Sequence, residues 1–248
     1  MTDAGTSRPE RPRVIEELQS TWDAHGRNDP LWAILAEPGK RGGRWDIGEF
    51  FATGRADITE LMARFHELGV EPSGRALDFG CGVGRLTEAL ADHYERVDGV
   101  DVSEAMVRGA REHTTHPGAA HYHANVAGNL RLFGDGVFDL VHSRIVLQHV
   151  GRELARAYLQ ESVRVLRPGG ILHFQLPTSP RWNAAGIVVR CVPQPLMNRV
   201  RTMRMEGMSE RRVRGLIGAM GLELLDVGAD DAGGPRWNSR HYTARKRP

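Results

Sequence analysis

Apolar positions in the first seventy residues recur at helical spacing. Val14, Ile15, Leu18 and Trp22 form one stripe, and Leu31, Trp32, Ile34 and Leu35 form another, with a break between Gly26 and Pro30. Gly42 and Gly43 interrupt the chain again. Glu49 to Leu68 predicts a longer helix, with Phe50, Ile58, Leu61, Met62, Phe65 and Leu68 on its apolar face, ended by Gly69. Beyond that point the period changes. Short apolar runs at 76–79, 96–101, 121–124, 138–142, 171–176, 222–227 and 241–244 predict seven strands. Helices are expected between them at 85–94, after Ser103 (which can cap one), at 153–166 and from Ser209 to about Met220. Strands alternating with helices imply parallel pairing through crossovers, hence an α/β fold with a doubly wound sheet.

Three segments stand outside this rhythm. Residues 1–13 are rich in proline, arginine and small polar residues and predict a flexible tail. Residues 14–70 form an N-terminal helical cap, and 71–248 form the α/β domain. Within that domain, 178–207 is an insertion with apolar positions at Ile187, Val188, Val189, Val192 and Leu196. The Gly- and Asp-rich stretch 228–238 joins the last two strands.

Composition narrows the class. In 248 residues, 40% are hydrophobic and 26% charged, which suits a globular core rather than disorder. The formal net charge of +2 gives little reason to expect a nucleic-acid partner. Two cysteines, Cys81 and Cys191, make neither a disulfide framework nor a zinc cluster. The polar N-terminus and the lack of an apolar run of ~18–20 residues predict a cytoplasmic protein with no membrane span.

The chemistry centres on a glycine-rich turn. Strand 76–79 runs into Gly80-Cys81-Gly82-Val83-Gly84-Arg85, and a helix follows. Alternating glycines let a ligand lie against the backbone, and the helix start offers free N–H groups. Asp101 ends the next strand, where a carboxylate can accept from both hydroxyls of a ribose. The pattern therefore suits an adenosine cofactor. The dinucleotide fingerprint G-x-G-x-x-G is not matched, because the third glycine comes one place early, at Gly84. Asp78 would repel a pyrophosphate but attract an ammonium and a sulfonium. That sign favours S-adenosylmethionine over NAD.

LDFGCGVGRLT resembles the first motif of class I S-adenosylmethionine-dependent methyltransferases. VDGVDVSEAMV resembles their second motif, FDLVHSRIVLQHV their fourth, and RVLRPGG the turn before their fifth strand. The resemblance runs from about Gly74 to Leu176, and MSERRVRGLIGAMGLELLDV resembles the segment leading into strand six. It implies a Rossmann-like seven-stranded sheet with a C-terminal antiparallel strand, and an N-terminal helical lid. It further implies that Asp78, Gly80, Cys81 and Gly82 line the methionine side of the cofactor. Asp101 would hold the ribose and Val102 would pack on the adenine. Asn125 and Val126 would lie at the adenine edge, and Ser143 would approach the methionine moiety through its backbone.

The implied activity is methyl transfer to an oxygen, nitrogen or carbon of a small-molecule acceptor. A general base is needed only if the attacking atom must lose a proton. His149, after strand four, is the candidate base, with orientation of the next helix as its structural alternative. His113, His116, His121 and His123 fit no metal-binding spacing, so no metal is expected. Arg199, Arg201, Arg204, Arg211, Arg212 and Arg214 form a basic stretch without interleaved aromatics, so RNA methylation is the lesser reading. An NAD-dependent oxidoreductase and a non-catalytic cofactor-binding protein are the remaining alternatives. Trp45 to Arg55 is the segment expected to form part of the lid, with 178–207 as the second wall of the pocket.

Overall fold

A computed structural model describes residues 13–191 and 205–248. Residues 1–12 of the expected tail, with Val192, Leu196, Arg199, Arg201 and Arg204, lie outside the described residues.

Three helices come first: α1 (Arg13–Asn28), α2 (Pro30–Ile34) and α3 (Ile47–Glu67). Pro30 opens α2, where a missing N–H costs nothing. Asp46 caps α3 by accepting from the Glu49 N–H at 2.9 Å. The α/β part follows as β1 (Arg75–Phe79), α4 (Arg85–Leu90), β2 (Arg96–Asp101), α5 (Glu104–His113), β3 (Ala120–Ala124) and β4 (Phe138–Ser143). It continues with α6 (Arg152–Val165), β5 (Leu166–Pro180), α7 (Ala184–Cys191), α8 (Glu210–Ala219), β6 (Leu222–Asp230) and β7 (Trp237–Lys246).

The strands form one sheet in the order β3-β2-β1-β4-β5-β7-β6. β1 to β5 pair in parallel, and β7 runs antiparallel to both its neighbours. This is the Rossmann-like arrangement expected. Its central strands are apolar on both faces, as a sheet covered twice must be. Leu77, Val141 and Leu172 pack on one face with Tyr158 and Leu159 of α6 and Val213 and Ile217 of α8. Their neighbours Ala76, Leu140 and Ile171 pack on the other with Ile58, Leu61 and Phe65 of α3 and Leu86 and Leu90 of α4.

Some details differ from the sequence pattern. β5 is far longer than 171–176, because β7 pairs along it as far as Pro180. Ser209 stands at the start of α8 without a side-chain capping bond, whereas Ser103 does cap α5, its Oγ accepting from the Met106 N–H at 3.2 Å. No helix among the described residues is long and apolar enough to cross a membrane.

Candidate active site

The strand order reverses between β1 and β4, and a cleft of about 950 Å³ opens at the carboxyl ends there. The glycine turn forms its floor. Gly80 and Gly82 have φ of +81° and +53°. A Cβ on Gly80 would come within 2.2 Å of Val146, and one on Gly82 within 2.6 Å of Ile34. Both positions therefore demand glycine twice, for backbone conformation and for space.

Asp101 closes one side. Its Oδ2 accepts from the Gly82 N–H at 2.9 Å, and its Oδ1 accepts from the Ser103 N–H at 2.8 Å. Burial raises its pKa to about 6, opposed by those two N–H groups and reinforced by the nearby charge of Asp78. Both oxygens keep acceptor capacity, since each carries a further lone pair. Asp78 is buried beneath the turn and accepts from Thr87 Oγ1 at 2.7 Å. Cys81 lies on the wall, and burial together with these two carboxylates pushes its thiol well up, which keeps it protonated.

Two arginines that the sequence pattern left without a role stand opposite. Arg85 is 3% exposed and donates to Asp57 at 2.7 Å and to Thr53 at 3.1 Å. Burial draws its pKa down, and Asp57 opposes this. Arg144 donates to Asp230 at 2.5 Å. The Nε of each is buried and has no hydrogen-bond partner among the described residues. Both side chains line the cleft.

Of the residues named from sequence, Asp78, Gly80, Cys81, Gly82, Asp101, Val102 and Asn125 come together on this wall. Asn125 is engaged in its own loop, donating to Asn129 O at 2.7 Å and accepting from the Ala127 N–H at 3.1 Å. Val126 and Ser143 are not among the lining residues, and Ser143 Oγ donates to Phe79 O beneath the turn. The roof is made by Leu18 and Trp22 of α1 and Ala33 and Ile34 of α2. Trp45 to Arg55 does not line the cleft; it backs the roof, Trp45 Nε1 donating to Leu35 O at 3.1 Å and Phe50 packing with Ala33. The start of α3 is instead held against α4, where Gly54 sits so close that a Cβ would meet Arg85 O at 2.2 Å.

A second cleft, of about 1820 Å³, adjoins the first. Trp32, Leu35, Pro38, Met205 and Trp237 give it apolar and aromatic walls, with Arg41, Glu37 and the 231–236 loop at the rim. Among the described residues of 178–207, Met205 lines this wall; the β6–β7 loop supplies more, and nothing in its Gly- and Asp-rich sequence announced it. Ala33, Ile34 and Ile145 belong to both clefts. Ile145 has φ of +62°, which is strained for a β-branched side chain. His149 is nearly buried on the wall of the second cleft, with Trp22 edge-on to its ring at 5.5 Å.

The remaining histidines have structural surroundings. His116 pairs with Glu88 and Asp92, and His123 with Asp98. His113 packs on Phe51. His142, His173 and His241 stack across β4, β5 and β7, with centroids 5.5 and 5.7 Å apart. Among the described residues no three His, Cys, Asp or Glu side chains converge as a metal site would require. Arg211, Arg212 and Arg214 lie on the exposed face of α8, where Arg214 pairs with Glu210.

Known proteins resemble this chain in sequence and in fold. Residues 77–174 match the model of a family described as methyltransferase domain. Trans-aconitate 2-methyltransferase of Delftia acidovorans is 34% identical over 123 residues, covering 48% of this chain and 42% of that protein. 2-Methyl-6-phytyl-1,4-hydroquinone methyltransferase of Synechocystis is 33% identical over 160 residues, covering 64% of this chain and 49% of that protein. The chain thus spans less than half the length of these two relatives. Magnesium protoporphyrin IX methyltransferase from Synechocystis, solved with bound SAH, superposes with a TM-score of 0.67 at 20% identity, over 94% of this chain and 99% of that one. Residues 77–174 are thus similar to a methyltransferase domain, and the strand order with its reversed seventh strand gives the chain the fold of the solved methyltransferase on which it superposes.

Proposed function

We propose that this protein transfers the methyl group of S-adenosylmethionine to an oxygen, nitrogen or carbon atom of a small-molecule acceptor. The observation that carries this reading is the pair of clefts meeting at Ile145, one built on the glycine turn with Asp78 and Asp101 on its wall, the other walled in part by Trp32 and Trp237. When bound, S-adenosylmethionine supplies an electrophilic methyl carbon on a positively charged sulfur.

The residues present fit that cofactor. Asp101 offers acceptor oxygens for a ribose diol, and the glycines leave room for a ligand against the backbone. Asp78 gives the inner end negative charge, suited to an ammonium. The buried Nε of Arg85, which makes no hydrogen bond among the described residues, suits the carboxylate of the same amino-acid tail. The second cleft offers a surface on which an acceptor can be aligned, and alignment alone supplies much of the acceleration in a displacement at carbon. The two relatives are named as methyltransferases of trans-aconitate and of a phytylated hydroquinone, both small molecules, which supports the same class here. The second cleft is walled by indole rings and aliphatic side chains rather than by a basic track, which disfavours RNA.

Calorimetry with S-adenosylhomocysteine and with NAD tests the cofactor. Binding of the first and none of the second is expected; the reverse would refute the reading. Incubation with S-adenosylmethionine and a metabolite extract, followed by mass spectrometry, should then reveal an acceptor heavier by one methyl group.

A further inference from the structure

A chain of buried amides joins the strained junction residue to His149. The Ile145 N–H meets Gln175 Oε1 at 3.0 Å. Gln175 Nε2 meets Gln148 Oε1 at 3.3 Å and Ser239 Oγ at 2.5 Å. Gln148 Nε2 meets His149 Nε2 at 3.1 Å. Gln148, Gln175 and Ser239 are each at most 4% exposed, so water does not compete for these bonds.

The direction of every bond follows from one fixed end. A backbone N–H can only donate, so the Gln175 atom facing Ile145 must be its oxygen. Its amide nitrogen then points the other way and can only donate, so Gln148 presents its oxygen there. Gln148 must therefore present its own nitrogen to His149, and the imidazole Nε2 must accept. The ring proton then sits on Nδ1.

We infer that Gln175 and Gln148 are positioning residues that hold His149 as the neutral Nδ1–H tautomer. They tie that tautomer to the strained backbone of Ile145, where the two clefts meet. Nε2 is committed to the Gln148 amide, so it does not remove a proton from an acceptor. His149 is instead a neutral group of fixed orientation on the wall of the second cleft. This role in methyl transfer rests on the function proposed above; the tautomer does not.

The test is nitrogen-15 NMR of protein labelled at histidine, with His149→Asn to assign the ring signals. In the unaltered protein His149 should show a protonated Nδ1 and a bare Nε2. Gln175→Glu should reverse it. The carboxylate still accepts from Ile145 but cannot donate, so the Gln148 amide turns over, offers its oxygen to His149 and draws the proton to Nε2. Gln148→Glu should give the same reversal by direct contact and serves if the first variant does not fold. A His149 already protonated at Nε2, or a tautomer unmoved in a folded variant, would overturn the inference. None of these measurements needs cofactor or acceptor, so failure of cofactor binding leaves the tautomer result standing, and the converse holds as well.

Discussion

At the scale of single residues, Asp101 has the most direct consequence. Replacing it with alanine removes the acceptors for a ribose diol and leaves the Gly82 and Ser103 N–H groups without their carboxylate. S-Adenosylhomocysteine affinity should fall by roughly 2–4 kcal/mol, as calorimetry would measure. Because burial raises the Asp101 pKa to about 6, the charged acceptor is lost as pH falls through that value. Affinity should therefore decline from pH 7 to pH 5, and Asp101→Asn should flatten the curve. His173 acts on stability with its own sign. Burial, helped by His142 and His241, holds its pKa well below the ordinary value, so the folded protein refuses a proton that the unfolded chain accepts. Stability contributed by the neutral ring is complete above about pH 6.5 and is lost below it, by up to ~1.4 kcal/mol per pH unit. Urea unfolding at several pH values should show this decline, and His173→Phe should lessen it. The motif carboxylates and glycines were legible because local spacing fixes them. Arg85 and Arg144 were not, since their importance depends on burial opposite residues distant in the chain.

At the scale of elements, the close packing of α3 on α4 is the feature open to test. The missing side chain at Gly54 brings α3 against the backbone of Arg85, the first residue of α4 and the one after the glycine turn. Gly54→Leu should destabilise the fold by about 1–3 kcal/mol through overpacking. It should also weaken S-adenosylhomocysteine binding, because the displaced helix begins at the cofactor cleft. Unfolding and calorimetry on one sample would check both. Element types followed from hydrophobic period: α3 carried a broad apolar stripe, and the strands read as short apolar runs between helices. What those faces pack against did not follow. Trp45 to Arg55 was expected in the lid from the family resemblance, yet it lines neither cleft, and Phe50 is buried with Ala33, Val83 and Met106. The length of β5 escaped too, because it is set by pairing with β7, some sixty residues further on.

For the whole molecule, the roof of the cleft comes from the N-terminal helices and its floor from the glycine turn of the sheet. α1 and α2 reach the glycine turn only through tertiary packing, and residues 36–44 that follow them are mostly exposed turns. Limited proteolysis in that stretch should slow when S-adenosylhomocysteine is added, because a ligand under the roof favours the closed arrangement. An unchanged rate would mean that the roof is rigid without it. The doubly wound sheet was legible from strand alternation alone. The two-chamber site was not, because its partition, Ile145, adopts a backbone conformation that sequence preference argues against.

The short helix α2 belongs to both chambers, through Ala33 and Ile34. A molecule that settles in one chamber and shifts this five-residue wall reshapes the other. The two ligands are then each other's effectors, and reciprocity requires that each alter the other's affinity by the same factor. An acceptor that fits would tighten the grip on the methyl donor, and a poor one would loosen it. Discrimination among acceptors would thus be exercised partly in the chamber they never enter.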